Sequence, residues 1–139
     1  GWGAAEIMKN AADHAEFDDS TRSSFKRYSQ FSIVVHNYLG TSWLETIGMN
    51  IPTVCIYDPS VYIFRDESKT FIEDLLQNGV LHQSGKAAAS FIKSLGNDVE
   101  EWWNSYKVQE ACINFRHDYA NFSPEWEKQW ENEFSKFID

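Results

Sequence analysis

Cysteines, basic residues and long apolar runs are all scarce in this sequence, and each shortage narrows the class of protein. The two cysteines, Cys55 and Cys112, are too few for a disulfide framework, although counting alone leaves a single disulfide open. Cys55 lies inside an apolar run, where a buried free thiol is the usual state. A reducing cytoplasm is therefore the favoured location. No apolar run approaches the roughly 20 residues that a membrane-spanning helix needs.

Basic side chains are outnumbered by acidic ones. There are 12 Lys and Arg against 21 Asp and Glu, and the formal net charge is -9. A surface of this sign repels the phosphates of nucleic acids and the headgroups of an anionic membrane, which argues against both as partners. Disorder is excluded as well, because 6 Trp, 6 Tyr and 10 Phe are too many for a solvated coil.

The length of 139 residues suits one domain, and charge divides it into two parts. Residues 1–97 carry 11 acidic and 8 basic side chains, whereas residues 98–139 carry 10 and 4 and hold four of the six Trp. We predict an α/β core at 1–97 and an acidic, Trp-rich helical tail at 98–139 that packs on it. The chain starts Gly1-Trp2-Gly3, without Met or a leader, which indicates a processed chain, a tagged protein or a piece of a longer one.

Apolar periodicity predicts alternating strands and helices. Buried strands are expected at 31–36 and 52–57 and a short one at 80–82. Helices are expected at 4–16, 20–29, 41–50, 68–78 and 84–95, followed by a long one from Asp98 and one from Ser123. The alternation predicts parallel βαβ units in a partial Rossmann-like sheet, with 31–36 and 52–57 adjacent. A doubly wound sheet normally has five or six strands, so we expect the others to precede residue 1.

The most informative stretch runs from Ile33 to Val54 and reads as strand, Gly-containing turn, capped helix, turn and strand. A helix N-terminus at the carboxyl end of a parallel strand offers free N–H groups to a phosphate. Gly40 allows close approach, Thr41 and Ser42 add hydroxyl donors, and Glu45 can accept from sugar hydroxyls. The alternative is structural: a tight turn in which Thr41 or Ser42 caps the helix and Glu45 completes a capping box.

This stretch resembles the C-terminal domain of GT-B glycosyltransferases. The resemblance is carried by Gly40-Thr41-Ser42, Glu45, Gly48 and the turn Asn50-Ile51-Pro52. Together with Arg65, Trp102-Trp103 and the Trp-rich end, the chain is similar over 17–138 to bacterial transferases of surface-carbohydrate synthesis. The first strands of that domain and the whole N-terminal domain of such enzymes, which holds the acceptor site and the expected base, have no counterpart in this sequence.

The resemblance implies a nucleotide-diphosphate sugar as donor substrate, with the diphosphate at Gly40, Thr41 and Ser42 and the ribose or sugar at Glu45. It also implies a glycan or lipid-linked acceptor, no required cofactor or metal, and a cytoplasmic site of action that extends to the inner membrane face. Since this chemistry takes place between two domains, we expect the chain alone to be inactive. We also expect it to form homo-oligomers, because surfaces that face absent strands would be covered by association.

Other side chains have two interpretations each. His36 ends the first predicted strand, where it can touch the donor or simply hold the structure. Arg65 follows the second strand, where it can pair with a phosphate or form a surface salt bridge with Asp66 or Glu67. The remaining histidines lack metal-ligand spacing. The pairs Trp102-Trp103 and Trp126/Trp130 can stack on sugars, but core and domain packing on the tail helices is favoured.

The sequence therefore predicts the nucleotide-sugar-binding part of a glycosyltransferase. Two alternatives stay open. One is a non-catalytic domain whose acidic aromatic tail binds a partner protein. The other is a different nucleotide-sugar enzyme on the same fold, such as an epimerase.

Overall fold

A computed structural model describes residues 4–12, 16 and 26–137. Its centre is a three-stranded parallel sheet of order β1-β2-β3, made of β1 (Val34–His36), β2 (Thr53–Ile56) and β3 (Leu81–His82). The predicted parallel pairing of the first two strands is confirmed, with His36 opposite Cys55 in the register. The α/β class is also confirmed, since helices flank this sheet and a helix closes the chain.

Seven helices are described in this part of the chain. They are α1 (Ala4–Ala11), α2 (Thr41–Gly48), α3 (Asp66–Gln77), α4 (Gly85–Leu95), α5 (Val99–Trp103), α6 (Tyr106–Tyr119) and α7 (Trp126–Ser135), with a short 3-10 turn at Tyr28–Gln30. Residues 13–15 and 17–25 lie outside the description, and so do the corresponding parts of the helices predicted at 4–16 and 20–29. None of the described helices is both long and apolar enough to cross a bilayer.

The sheet has two differently covered faces. His36, Cys55 and Leu81 share one face by register, and His36 contacts α2 there. Val54 and His82 lie on the other face, where the His82 ring packs on Phe91 of α4 with centroids 5.0 Å apart. Val35, the β1 residue on that second face, is 48% exposed. The second face is thus covered at β2 and β3 and open at β1.

The main core lies on the first face and draws on residues from the sheet, α2, α3, α5 and α6. Its most deeply buried side chains include Ile47, Cys55, Leu75, Leu81, Trp103 and Cys112. Residues on both sides of position 97 therefore share one core. The division of the chain at 97 into core and tail stays a prediction.

The single long helix predicted from Asp98 is wrong, because the chain forms α5 and α6 instead. Ser105 has an extended backbone (φ -63°, ψ 146°) and breaks the helical path. Gln109 compensates for the break by donating its side-chain amide to the carbonyl of Trp103 at 2.7 Å. Asp98 precedes α5 but makes no side-chain cap, so the predicted cap is also wrong.

The pairs Trp102-Trp103 and Trp126/Trp130 differ in burial. Trp103 is buried and donates its indole N–H to the carbonyl of Asn50 at 3.1 Å, while Trp102 donates to that of Asn78 at 3.0 Å. Core packing is thus confirmed for this pair. For Trp126 and Trp130 core packing is wrong, because both lie exposed on α7, and their packing on another domain stays a prediction.

Residues at the ends of the other helices and strands explain several of their boundaries. The Ser84 hydroxyl accepts from the N–H of Ala87 and caps α4 as predicted. Gly79 ends α3 with φ 78°, the left-handed conformation expected of a residue after a helix. The strand predicted at 31–36 covers only 34–36, since Phe31 is exposed. The last helix begins at Trp126 rather than at Ser123, whose hydroxyl accepts from the N–H of Glu125 in the preceding turn.

Candidate functional site

The candidate site lies at the carboxyl end of β1, where residues 37–40 connect the strand to α2. Parallel α/β sheets bind ligands at this edge, because the helices begin there and direct their N–H groups towards it. Six residues were predicted for the site. Of these, His36 ends β1, Arg65 follows β2, and the other four lie between Gly40 and Glu45, at the start of α2.

Gly40 is the N-cap of α2, with an extended backbone (φ -99°, ψ -171°), and it makes no side-chain hydrogen bond to the first turn. Thr41 and Ser42 are the first two helical residues, so neither is the cap and Glu45 cannot complete a capping box. The capping-box interpretation is therefore wrong. The N–H groups of the first turn are free of side-chain capping and are available to a ligand.

The surroundings of Gly40 include a contact that the sequence does not reveal. Its backbone does not require glycine, but a Cβ at this position would overlap the ring of Tyr38. The N–H of Gly40 also donates to the carbonyl of Tyr38 at 3.0 Å. The Tyr38 ring thus lies against the turn at the entrance to the site.

Three side chains behind the turn form a hydrogen-bond chain. The Thr46 hydroxyl donates to the carbonyl of Trp43 at 3.0 Å and lies 2.9 Å from Nε2 of His36. A hydroxyl has one proton, so Thr46 must accept from His36, and Nε2 carries the hydrogen. Nδ1 of the neutral ring then accepts from the Ser42 hydroxyl, 3.3 Å away. Ser42 and Thr46 lie four residues apart on one face of α2, and both bond to His36 of β1, so the chain of hydrogen bonds connects the strand to the helix.

Burial lowers the pKa of His36 below its usual 6.5, which keeps the ring neutral near pH 7. The Ser42 proton is consequently directed into the protein, and its outward lone pairs can only accept. That Ser42 donates its hydroxyl to a ligand stays a prediction, since such a bond would replace the one to His36. Thr41 is exposed at the start of α2.

Glu45 lies in the second turn of α2 and is half-buried. Within the described part of the chain, its carboxylate has no hydrogen-bond or ion-pair partner. Arg65 precedes α3 and pairs with Glu67 at 3.8 Å between Nη1 and Oε1, with its own side chain 86% exposed. The structure thus joins His36 and Ser42 directly and places Gly40 and Thr41 beside them, while Arg65 makes the surface salt bridge.

An apolar cavity of about 480 Å³ adjoins the turn. The β1–α2 turn forms one wall, the loop after β2 a second, and α3 and α6 the remainder; its lining includes Leu39, Gly40, Thr41, Tyr62, Phe64 and Tyr119. Ser68 is the main polar side chain inside, and its hydroxyl donates to the carbonyl of Arg65 at 2.9 Å. Such a cavity suits a flat or apolar group attached to whatever binds at the turn.

Cysteine and metal chemistry find no support in the part of the chain that the structure describes. Both cysteines are free, and burial raises the pKa of Cys55 and of Cys112 to about 12, so the thiols stay protonated. No three His, Cys, Asp or Glu side chains among the described residues are grouped as metal ligands would be.

Sequence reasoning missed Thr46, Tyr38 and the cavity. Thr46 follows Ser42 by four residues, and this helical spacing was the signal that both could face His36. The cavity depends on Tyr62 and Phe64 folding back from the loop after β2, which no local pattern indicates.

Comparison with known proteins identifies a family for this chain. The model of the LIC12162 family transferases matches residues 1–134. The chain belongs to this family. No curated protein and no solved structure matches it. Membership of a transferase family agrees with a ligand-binding edge on an α/β sheet and leaves open which group is transferred and to what.

Proposed function

We propose that this chain is the nucleotide-sugar-binding part of a glycosyltransferase that acts in surface polysaccharide or glycoconjugate synthesis. The single observation behind the proposal is the uncapped N-terminus of α2 at the carboxyl end of β1, directly beside an apolar cavity. Membership of a transferase family supports it at the coarser level. The sugar would pass from a nucleotide diphosphate to a glycan or lipid-linked acceptor.

The turn suits the diphosphate. Backbone N–H groups of the first turn of α2 and the exposed Thr41 hydroxyl are donors, and the helix N-terminus adds a partial positive charge. Arg65 lies after the neighbouring strand, and among the described residues its guanidinium pairs only with the exposed carboxylate of Glu67. Such pairs are worth at most about 1 kcal/mol, so a phosphate can compete for the guanidinium.

The cavity and Glu45 suit the rest of the donor. Aromatic and aliphatic side chains line a volume that accepts a planar ring, and the carboxylate of Glu45, which has no partner among the described residues, can accept from a ribose or sugar hydroxyl. Ser42 can accept from another hydroxyl, because its own proton is held by His36. No metal or cofactor is needed for binding in this scheme.

The test is the Glu45→Gln variant, compared with Glu73→Gln on the exposed surface of α3. A panel of nucleotide sugars is first screened against the unmodified protein by thermal shift. For the sugar that binds, Glu45→Gln should raise Kd about tenfold or more, because a charge-assisted hydrogen bond contributes roughly 1.5–3 kcal/mol. The melting temperature should stay unchanged, since Glu45 is not a cap. Unchanged Kd in Glu45→Gln, or no binding by any nucleotide sugar, contradicts the proposal.

A second candidate function also has a structural basis. The exposed aromatic residues of α7 favour a domain that binds a partner protein through this helix. The epimerase alternative has no observation of its own, and product analysis with the binding sugar separates it from transfer.

A further inference from the structure

The last helix carries an aromatic surface that the rest of the described chain does not cover. Trp126, Trp130 and Phe134 are four residues apart and form one row along α7, and Phe137 follows the helix. These side chains are 56%, 57%, 57% and 83% exposed. We call this surface the aromatic row.

The aromatic row has no role in the core. No residue of α7 is buried, and the contact within the row is the stacking of Trp130 on Phe134 with centroids 5.2 Å apart. Large apolar side chains in water carry an unfavourable hydration free energy, and contiguous exposure of this kind marks an interaction surface. The row is therefore explained by something that covers it.

The charged residues of α7 indicate what kind of partner covers the aromatic row. The residues next to Trp126, Trp130 and Phe134 in sequence fall in the two neighbouring rows of the helix, and these two rows hold Glu125, Glu127, Glu131 and Glu133. The lysines Lys128 and Lys136 fall in the row on the opposite side of the helix. The aromatic row is thus bordered by glutamates on both sides.

We propose that α7 binds a basic amphipathic helix, with the apolar side of that helix on the aromatic row and its Lys or Arg side chains against the bordering glutamates. A second copy of α7 would set glutamates against glutamates, and an anionic bilayer would be repelled in the same way. The present pairs of Lys128 with Glu125 and of Lys136 with Glu133 are exposed and exchange readily for a partner's cations. The surface is separate from the site at α2, so the two proposals can fail independently.

The test measures anisotropy of a labelled probe peptide, made of leucine and lysine with the leucines at helical spacing and about four helical turns long. At physiological ionic strength the protein should bind it, and the emission of Trp126 and Trp130 should shift to shorter wavelength. The double variant Trp126→Ser/Trp130→Ser keeps every charge and should raise Kd about tenfold or more. Tyr106→Ser, which removes an even more exposed aromatic side chain from α6, should leave Kd unchanged.

A second peptide with glutamate in place of lysine should not bind. Circular dichroism of the double variant should match that of the unmodified protein, because both Trp side chains are exposed. Equal binding of the lysine peptide by the double variant would show that charge alone acts, and would overturn the proposal. Two other results would also overturn it: dimers that the double substitution dissociates, or an emission shift with phosphatidylcholine vesicles and none with the peptide.

Discussion

At the scale of single residues, the hydrogen-bond chain of Ser42, His36 and Thr46 has a fixed direction. Thr46 is fully buried and is the acceptor for Nε2–H of His36. Thr46→Val removes that acceptor and leaves the N–H unsatisfied, so we expect the free energy of unfolding to fall by roughly 1–3 kcal/mol. Urea denaturation measures this, and Thr46→Ser, which keeps the hydroxyl, should retain most of the stability. Equal stability of Thr46→Val would mean that His36 is held in another way.

His36 should also make stability depend on pH. Burial lowers its pKa in the folded state below 6.5, so in that range the unfolded chain binds more protons. Stability should fall as the pH drops from about 6.5 through the lower folded pKa. The pKa of His82 is also lowered, chiefly by burial, and adds an effect of the same sign. Unfolding free energies at about pH 7.5 and about pH 5 should differ less in His36→Gln, and also in His82→Gln, than in the unmodified protein.

The two cysteines should be inert in the folded protein. Each is buried, and a pKa of about 12 leaves a negligible thiolate fraction at neutral pH. Iodoacetamide should therefore label neither Cys55 nor Cys112 until denaturant is added, as mass spectrometry can show. Rapid labelling of Cys55 in native protein would mean that the β2 region opens.

At the scale of elements, Gly79 controls the passage from α3 to β3. Its φ of 78° is a left-handed conformation, and a Cβ there would also overlap the ring of Phe91. Gly79→Ala should therefore lower the free energy of unfolding by about 1–2 kcal/mol or more. Gly85→Ala is the matched control, because open space surrounds Gly85 at the start of α4, and it should be neutral or stabilising by up to about 1 kcal/mol. Thermal denaturation distinguishes the two; similar melting temperatures would remove the special role of Gly79.

The same elements show what sequence could predict. Ser84, Gly79 and the apolar runs of β1 and β2 act through their nearest neighbours, so the cap, the helix end and the parallel pair were all predictable. Gly40 and Ser42 were not, because the hydroxyl that might cap α2 is taken by His36, six residues earlier. The division between α5 and α6 depends on the burial of Trp103 against Asn50, a contact 53 residues apart in sequence.

The candidate site was predictable only in part for a similar reason. Gly40, Thr41, Glu45 and His36 come from one βα unit, so their proximity follows from local order. The cavity needs the loop after β2 and the C-terminal half of α6, which only the tertiary fold brings together. Arg65 follows the second strand as expected, and its pairing with Glu67 is the local alternative that the sequence had left open.

At the scale of the whole molecule, β1 is an edge strand of the described sheet and has one open face. Val35 on that face is exposed, and such an edge is a site for association. We expect the chain to form homo-oligomers, and Val35→Lys should shift it towards monomer. Light scattering measures the change, with Ile63→Lys as a control for an exposed apolar residue outside the sheet. A monomeric unmodified chain would contradict the expectation.

The hydrogen bonds of the Trp102 and Trp103 indoles bear on the order in which the fold forms as the chain is synthesised. They reach the carbonyls of Asn78 and Asn50, which follow α3 and α2. The ribosome makes the three described strands and both crossover helices before it makes the two residues whose indoles bond to the ends of those helices. We therefore expect these two hydrogen bonds to form only after the sheet segments have been synthesised, so that this part of the fold is completed from the side of α5.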